Sequence, residues 1–126
     1  MTGSESAGLA RAREDLAAAR LLHEAGFHAQ CTSRAYFAAF HAAEEALLRV
    51  GETRSKHSGV VAAFGEHVVK RHGFDPEIAR GLRLLFQGRA AADYDTVAVP
   101  AEQAADAIAR ASAFVDAVAD WLRARA

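Results

Sequence analysis

The sequence predicts an all-α protein, an antiparallel up-and-down bundle of four to five helices, and three observations predict it. Apolar residues recur three and four apart over long stretches, the period of a helix with one buried face. Glycine closes one stretch after another, at Gly26, Gly51 and Gly73, and the only two prolines, Pro76 and Pro100, stand where helices open. No run has the length and company of a sheet strand; Tyr94–Val99 (YDTVAV) reads as a connector.

The bulk numbers agree. A chain of 126 residues is one domain with one core. With 52% hydrophobic and 25% charged residues it is globular, not disordered. Alanine dominates the apolar count, so the helices should pack closely. A net charge of −1 gives no global attraction to nucleic acid or an anionic membrane, and any polyanion site must be a local patch. The single Cys31 excludes an intramolecular disulfide and fits a reducing compartment. The opening MTGSESAGLARARED has no signal-peptide core, and no apolar run approaches the roughly 18 residues of a membrane span. A cytoplasmic protein without membrane contact is expected.

Residues 1–7 read as a disordered tail and 8–124 as the helical domain. The first helix spans about Ser6 to Ala25, with Leu9, Ala12, Leu16, Ala19 and Leu22 on one side. The second runs from about Ala29 to Val50, and the polar GETRSKHS loop follows. The third, about Ser58 to Arg71, buries Val60, Val61, Phe64 and Val68. Asp75-Pro76-Glu77 is an N-cap followed by proline at the first helical position, and it opens a fourth helix to about Asp93. Pro100 opens a fifth to about Arg123, with Ile108, Ala111, Val115, Val118 and Leu122 three and four apart.

Two of these helices carry more than packing requires. On the second, Tyr36, Phe37, Phe40, Leu47 and Leu48 form a broad apolar face, with Glu44 inside it. Arg34 and His41 share its edge, roughly 10 Å apart along the axis. Glu45, four residues past His41, can reach the imidazole. On the fourth, Ile78, Leu82, Leu85 and Phe86 define the buried stripe and Arg89 lands at its centre, with Asp93 at i+4. A charge on a buried stripe is costly unless paired. The pattern therefore predicts an ionic cluster at one end of the bundle, with Arg89 and Asp93 joined by Glu44 or by the Arg34/His41 edge. Such a cluster is either a structural network or the wall of a binding site.

At this point the residues resemble a known family. SRAYFAAFHAAEEALL (33–48), KHSGVVAAFGEHVVK (56–70) and GRAAADYD (88–95) look like the HEPN (higher eukaryote and prokaryote nucleotide-binding) domain. They are most similar to the small stand-alone prokaryotic subgroup with S-R-A-Y-[YF]-A-x-F-H-A and R-x-x-A-D-Y motifs. The resemblance covers about residues 8–122. It implies a helical bundle, usually a homodimer, that binds a nucleotide or RNA and is the partner of a minimal nucleotidyltransferase in a toxin–antitoxin-like pair. Many such domains are metal-independent ribonucleases that use an Arg and a His separated by four to six intervening residues. Arg34 and His41 have that spacing, His serving as acid or base and Arg stabilising the phosphorane. The late motif, Arg89 to Tyr94, keeps an Arg and a Tyr but no His, and in related pairs a Tyr in that motif accepts a nucleotidyl group, so Tyr94 is the candidate acceptor. The nucleotide or RNA site implied is Arg34, His41, Lys56, His57, Arg89, Asp93 and Tyr94. A non-catalytic interaction bundle is the remaining reading.

Other features carry less. His23 and His28 are one residue too far apart for the zinc-protease pattern, and the turn at Gly26 puts them off a common face; His67 and His72 fail likewise, so no metal and no cofactor is expected. Lys56-His57-Ser58 precedes the third helix and could hold a phosphate on its backbone N–H groups, or simply cap it. Cys31 reads as a structural thiol and Trp121 as a core or dimer contact.

Overall fold

The computed structural model describes residues 5–94 and 98–125, which form five helices in an all-α bundle. They are α1 (Ala7–Glu24), α2 (His28–Arg49), α3 (His57–Ala63), α4 (Pro76–Tyr94) and α5 (Ala101–Ala124). Residues 1–4 of the tail and 95–97 of the connector lie outside the described residues.

Local chemistry explains the helix ends. The Ser6 side chain accepts from the Leu9 N–H at 3.3 Å and starts α1. Asp75 does the same for α4, its Oδ1 accepting from Glu77 N at 2.9 Å, with Pro76 as the first helical residue. Gly26 and Gly51 follow α1 and α2 at φ of +88° and +79°, a left-handed turn that a side chain would strain. The third helix is not uniform. From Phe64 to Lys70 the chain widens into a π-helix, and only with that extension does it cover the length read from sequence. Phe64 and Val68 are buried from this wider stretch, and Phe64 meets Phe74 and Phe114 with ring centres 5.0 and 5.1 Å apart.

Helix α2 is the axis of the bundle and packs against all four other helices. Cys31, Ala35, Tyr36, Ala38, Ala39, Ala42, Ala43 and Ala46 are all wholly buried, and only the stripe of Ser33, Arg34, Phe37, His41, Glu44 and Glu45 stays partly exposed along its middle. The single apolar face expected from the wheel is corrected accordingly: Leu48 is 60% exposed, while the alanines that a wheel treats as neutral are core. Alanine is what lets neighbouring helices approach closely. Around this axis, α5 contributes Phe114, Val115, Val118 and Leu122 to the core, and α4 contributes Leu82 and Leu85. Gly81 of α4 lies so near α5 that a Cβ there would sit 2.9 Å from Arg110 Cγ. Arg13 ties α1 to α5, donating to Asp116 at 3.0 Å and to Glu5 at 2.7 and 2.8 Å.

Candidate functional site

The site grows from a residue that the pattern reading passed over. Asp15, on the inner side of α1, is 3% exposed. Its Oδ1 accepts from Arg34 Nη1 at 3.1 Å, and its Oδ2 lies 2.8 Å from His41 Nδ1. Arg11, one turn earlier on α1, brings Nε to 3.6 Å. A carboxylate only accepts, so Nδ1 of His41 carries a hydrogen, and the tautomer this selects is the one whose Nε2 is the bare nitrogen. Arg34 and His41, two turns apart on α2, are thus held side by side by one buried anion from another helix. Glu45, whose spacing put it within reach of the imidazole, does not do this job. It lies over Gly8 of α1, where a Cβ would collide with its Cγ.

A signal for Asp15 was present in the sequence. It stands three residues after Ala12 and four before Ala19, inside the apolar arc of α1, and a buried acid demands cationic partners. The same logic had singled out Arg89.

Arg89 and Asp93 do meet, Nε lying 2.7 Å from Oδ2, with side chains 24% and 31% exposed. The Arg89 N–H is not aimed at the carboxylate, so this is a charge contact and not an aligned hydrogen bond. Among the described residues no ion pair joins Arg89 to Glu44 or to Asp15. The single ionic cluster expected from sequence is instead two networks joined through an aromatic ring. The Arg34 guanidinium carbon stands 4.8 Å from the Phe37 ring centre and that of Arg89 5.4 Å; Arg89 is also 5.8 Å from the Tyr36 ring. Both cations face π-clouds, which attract them electrostatically.

The two segments also share a cleft of about 490 Å³ between α1, α2 and α4. Leu22, Gln30, Ser33 and Arg34 line one side, Ala92 and Asp93 the other. Tyr94, the last residue of α4, is 84% exposed beside it. On α3, His57 turns inward: Nδ1 lies 3.0 Å from Tyr36 Oη, and the ring stacks on Phe40 with centres 4.2 Å apart. Burial is the main force holding its pKa below the ordinary value, and the neighbouring Arg89 adds to it. Burial likewise pushes the Tyr36 phenol up, so it stays protonated. Lys56 is exposed, and its side chain makes no capping bond to α3. The site thus brings together Arg34, His41, His57, Arg89 and Asp93, with Tyr94 at its rim and Lys56 outside.

His23 and His28 are closer than their spacing suggested, with ring centres 5.1 Å apart, because the turn at Gly26 folds α2 back against α1. His23 Nε2 lies 3.1 Å from the Ala101 carbonyl. Among the described residues, no group of three or more potential ligands could hold a metal ion. No helix among them is long and apolar enough to cross a membrane.

Comparison with known proteins points the same way. The sequence profile of the HEPN domain matches residues 6–121. The chain is 33% identical over 112 residues to a Methanocaldococcus jannaschii protein named "Putative toxin MJ0605", covering 89% of this chain and 84% of that one. It is 36% identical over 109 residues to a Thermotoga maritima protein named "UPF0332 protein", covering 86% and 83%. Matched over nearly its whole length, and built as a helical bundle with its two motif-bearing helices packed together, the chain belongs to the HEPN domain family.

Proposed function

We propose that this protein is a toxin-like HEPN component that binds a nucleotide or RNA at the cleft of α1, α2 and α4. It works as a homodimer and as the partner of a minimal nucleotidyltransferase. The observation that carries the reading is the clamp on Asp15, which sets Arg34 beside His41 and against the same Phe37 ring that Arg89 meets. Two guanidiniums around an aromatic face suit the phosphates and bases of a nucleotide strand. The chain as a whole carries −1, so the attraction is local. The name of the Methanocaldococcus relative supports the toxin-like role. Tyr94 is the proposed acceptor for the partner enzyme: its exposed hydroxyl attacks the α-phosphorus of a nucleoside triphosphate, loses its proton and releases pyrophosphate. Fluorescence anisotropy with labelled RNA tests the site. Arg34→Ala should weaken binding several-fold, and unchanged binding would remove the cleft from consideration.

A second reading, a metal-independent ribonuclease, is favoured by one specific observation. Asp15 presents His41 with Nδ1 satisfied and Nε2 bare, the state of a general base toward a ribose 2′-hydroxyl. Arg34 is placed beside it to stabilise the phosphorane charge. Incubating the protein with RNA in EDTA decides this. Cleavage to 2′,3′-cyclic phosphate ends that disappears in His41→Ala supports it, and absence of cleavage ends it.

A further inference from the structure

His57 and Tyr36 form a second hydrogen-bonded pair in the site, and the roles of their atoms can be worked out. Tyr36 is wholly buried, and among the described residues its hydroxyl has one partner, His57 Nδ1 at 3.0 Å. A buried O–H that donates to nothing is costly, whereas a ring nitrogen without a hydrogen can accept. Tyr36 is therefore the donor, Nδ1 the acceptor, and the hydrogen of the neutral His57 ring sits on Nε2. Phe40 stacks on the ring at 4.2 Å and Phe37 meets it edge to face at 5.5 Å, so the ring cannot turn freely. The only buried side-chain nitrogens or oxygens without a partner among the described residues are His28 Nδ1 and Arg89 Nε. Nε2 of His57 makes no hydrogen bond among the described residues and is not one of these sealed atoms, on a residue that is only partly buried.

The two histidines of the site consequently present opposite faces. His41, donating to Asp15 through Nδ1, offers a bare Nε2 acceptor. His57, accepting from Tyr36 through Nδ1, offers an Nε2–H donor. The groups around His57 are Tyr36, His41 and Glu44 on α2 and Arg89 on α4; Arg89 and His41 oppose a positive charge on its ring while Glu44 favours one, and burial tips the balance to the neutral form. A neutral N–H donor between cations adds a hydrogen bond to an anion without adding charge repulsion to the empty site.

We infer that His57 binds a non-bridging phosphate oxygen of the nucleic-acid backbone through Nε2–H, with Tyr36 as the positioning residue that sets its tautomer. This rests on the RNA-binding reading above and assigns His57 a task separate from that of His41. A ribose 2′-hydroxyl can donate to His41 while a phosphate accepts from His57, so the two rings suit different groups of an RNA strand.

The test uses the full chain. Long-range proton–nitrogen NMR reads the tautomer of His57 directly, and Nε2–H is expected in the wild type, with mixed tautomers in Tyr36→Phe. Anisotropy with labelled RNA, and with DNA of the same sequence, reads the contact. His57→Phe keeps the stack on Phe40 but has no donor, and it should lose roughly tenfold in affinity for both strands. His57→Gln keeps a donor near the Nε2 position and should retain most of the affinity. An Nδ1–H ring in the wild type, or a folded His57→Phe that binds as tightly as the wild type, overturns the assignment and leaves the RNA-binding reading standing. A wild-type protein that binds neither strand overturns both.

Discussion

Replacing Asp15 by alanine is the sharpest test of the site, because one side chain holds it together from inside the core. The carboxylate is 4% exposed and makes two charge-assisted hydrogen bonds, to Arg34 at 3.1 Å and His41 at 2.8 Å. Breaking a buried ion pair costs about 3–5 kcal/mol when the abandoned charge stays buried. Here the abandoned partners are not deeply buried, Arg34 being 33% and His41 23% exposed at the side chain, so both can turn toward water. That puts the expected loss near the lower end, about 3 kcal/mol. For a domain of this size it lowers the melting temperature by about 10 °C. Thermal unfolding followed by circular dichroism measures it. Asp15→Asn keeps the shape and removes the charge, and should cost less than the alanine. Asp15→Ala should weaken RNA binding about as much as His41→Ala, because it releases the imidazole, whereas Asp15→Asn keeps one acceptor oxygen and should weaken it less. A stability loss below about 1 kcal/mol, or full RNA affinity in Asp15→Ala, refutes the clamp.

Further outcomes follow from the same geometry. Arg89→Ala should cost about 1–2 kcal/mol in a denaturant titration, since Arg89 and Asp93 are each only part buried; a loss above about 4 kcal/mol would mean that the pair is sealed from water. His57 makes stability depend on pH. The unfolded ring takes up a proton near pH 6.5 and the folded ring only at a lower pH, so stability is complete above about 6.5 and falls as pH drops toward the folded value. The melting temperature should decline over that window, and His57→Phe should flatten the decline; an equal slope in the variant sinks the attribution. Cys31 is wholly buried, its Sγ is 3.9 Å from the Ala104 carbonyl, and burial pushes its thiol up. Colorimetric thiol labelling should be slow in the native protein and fast in denaturant.

The fold was largely legible because its signals are local. Asp75-Pro76 and the glycines after α1 and α2 act within one turn of chain, and the structure uses each as read. The neighbourhood of Arg34 and His41 was legible too, since seven residues make two helical turns. What joins them was not read. Asp15 is 19 residues from Arg34 and 26 from His41, and only the docking of α1 on α2 brings them together. Glu45 had the better spacing to His41, but tertiary packing drew it over Gly8 instead. The π-helical stretch had no sequence mark beyond an ordinary apolar pattern. His57 was read through its place before a helix, whereas its importance comes from the partner it finds on α2. A wheel reports which residues share a face, not which neighbour arrives there.

The alanine-built axis also bears on how such a protein can change over generations. Ala35, Ala38, Ala39, Ala42, Ala43 and Ala46 have no exposed surface, so a larger residue at any of them overpacks the core at about 1–3 kcal/mol. Arg34, Phe37 and His41 are planted on this closed segment and keep their spacing whatever happens elsewhere. The far wall, from Arg89 to Tyr94, lies at the end of α4, where only Gly81, Leu82 and Leu85 are buried along the whole helix. Substitutions accumulate cheaply there. The end of α4 and the α1–α2 corner can thus be altered at little cost in packing, while the side chains carried by α2 keep their places.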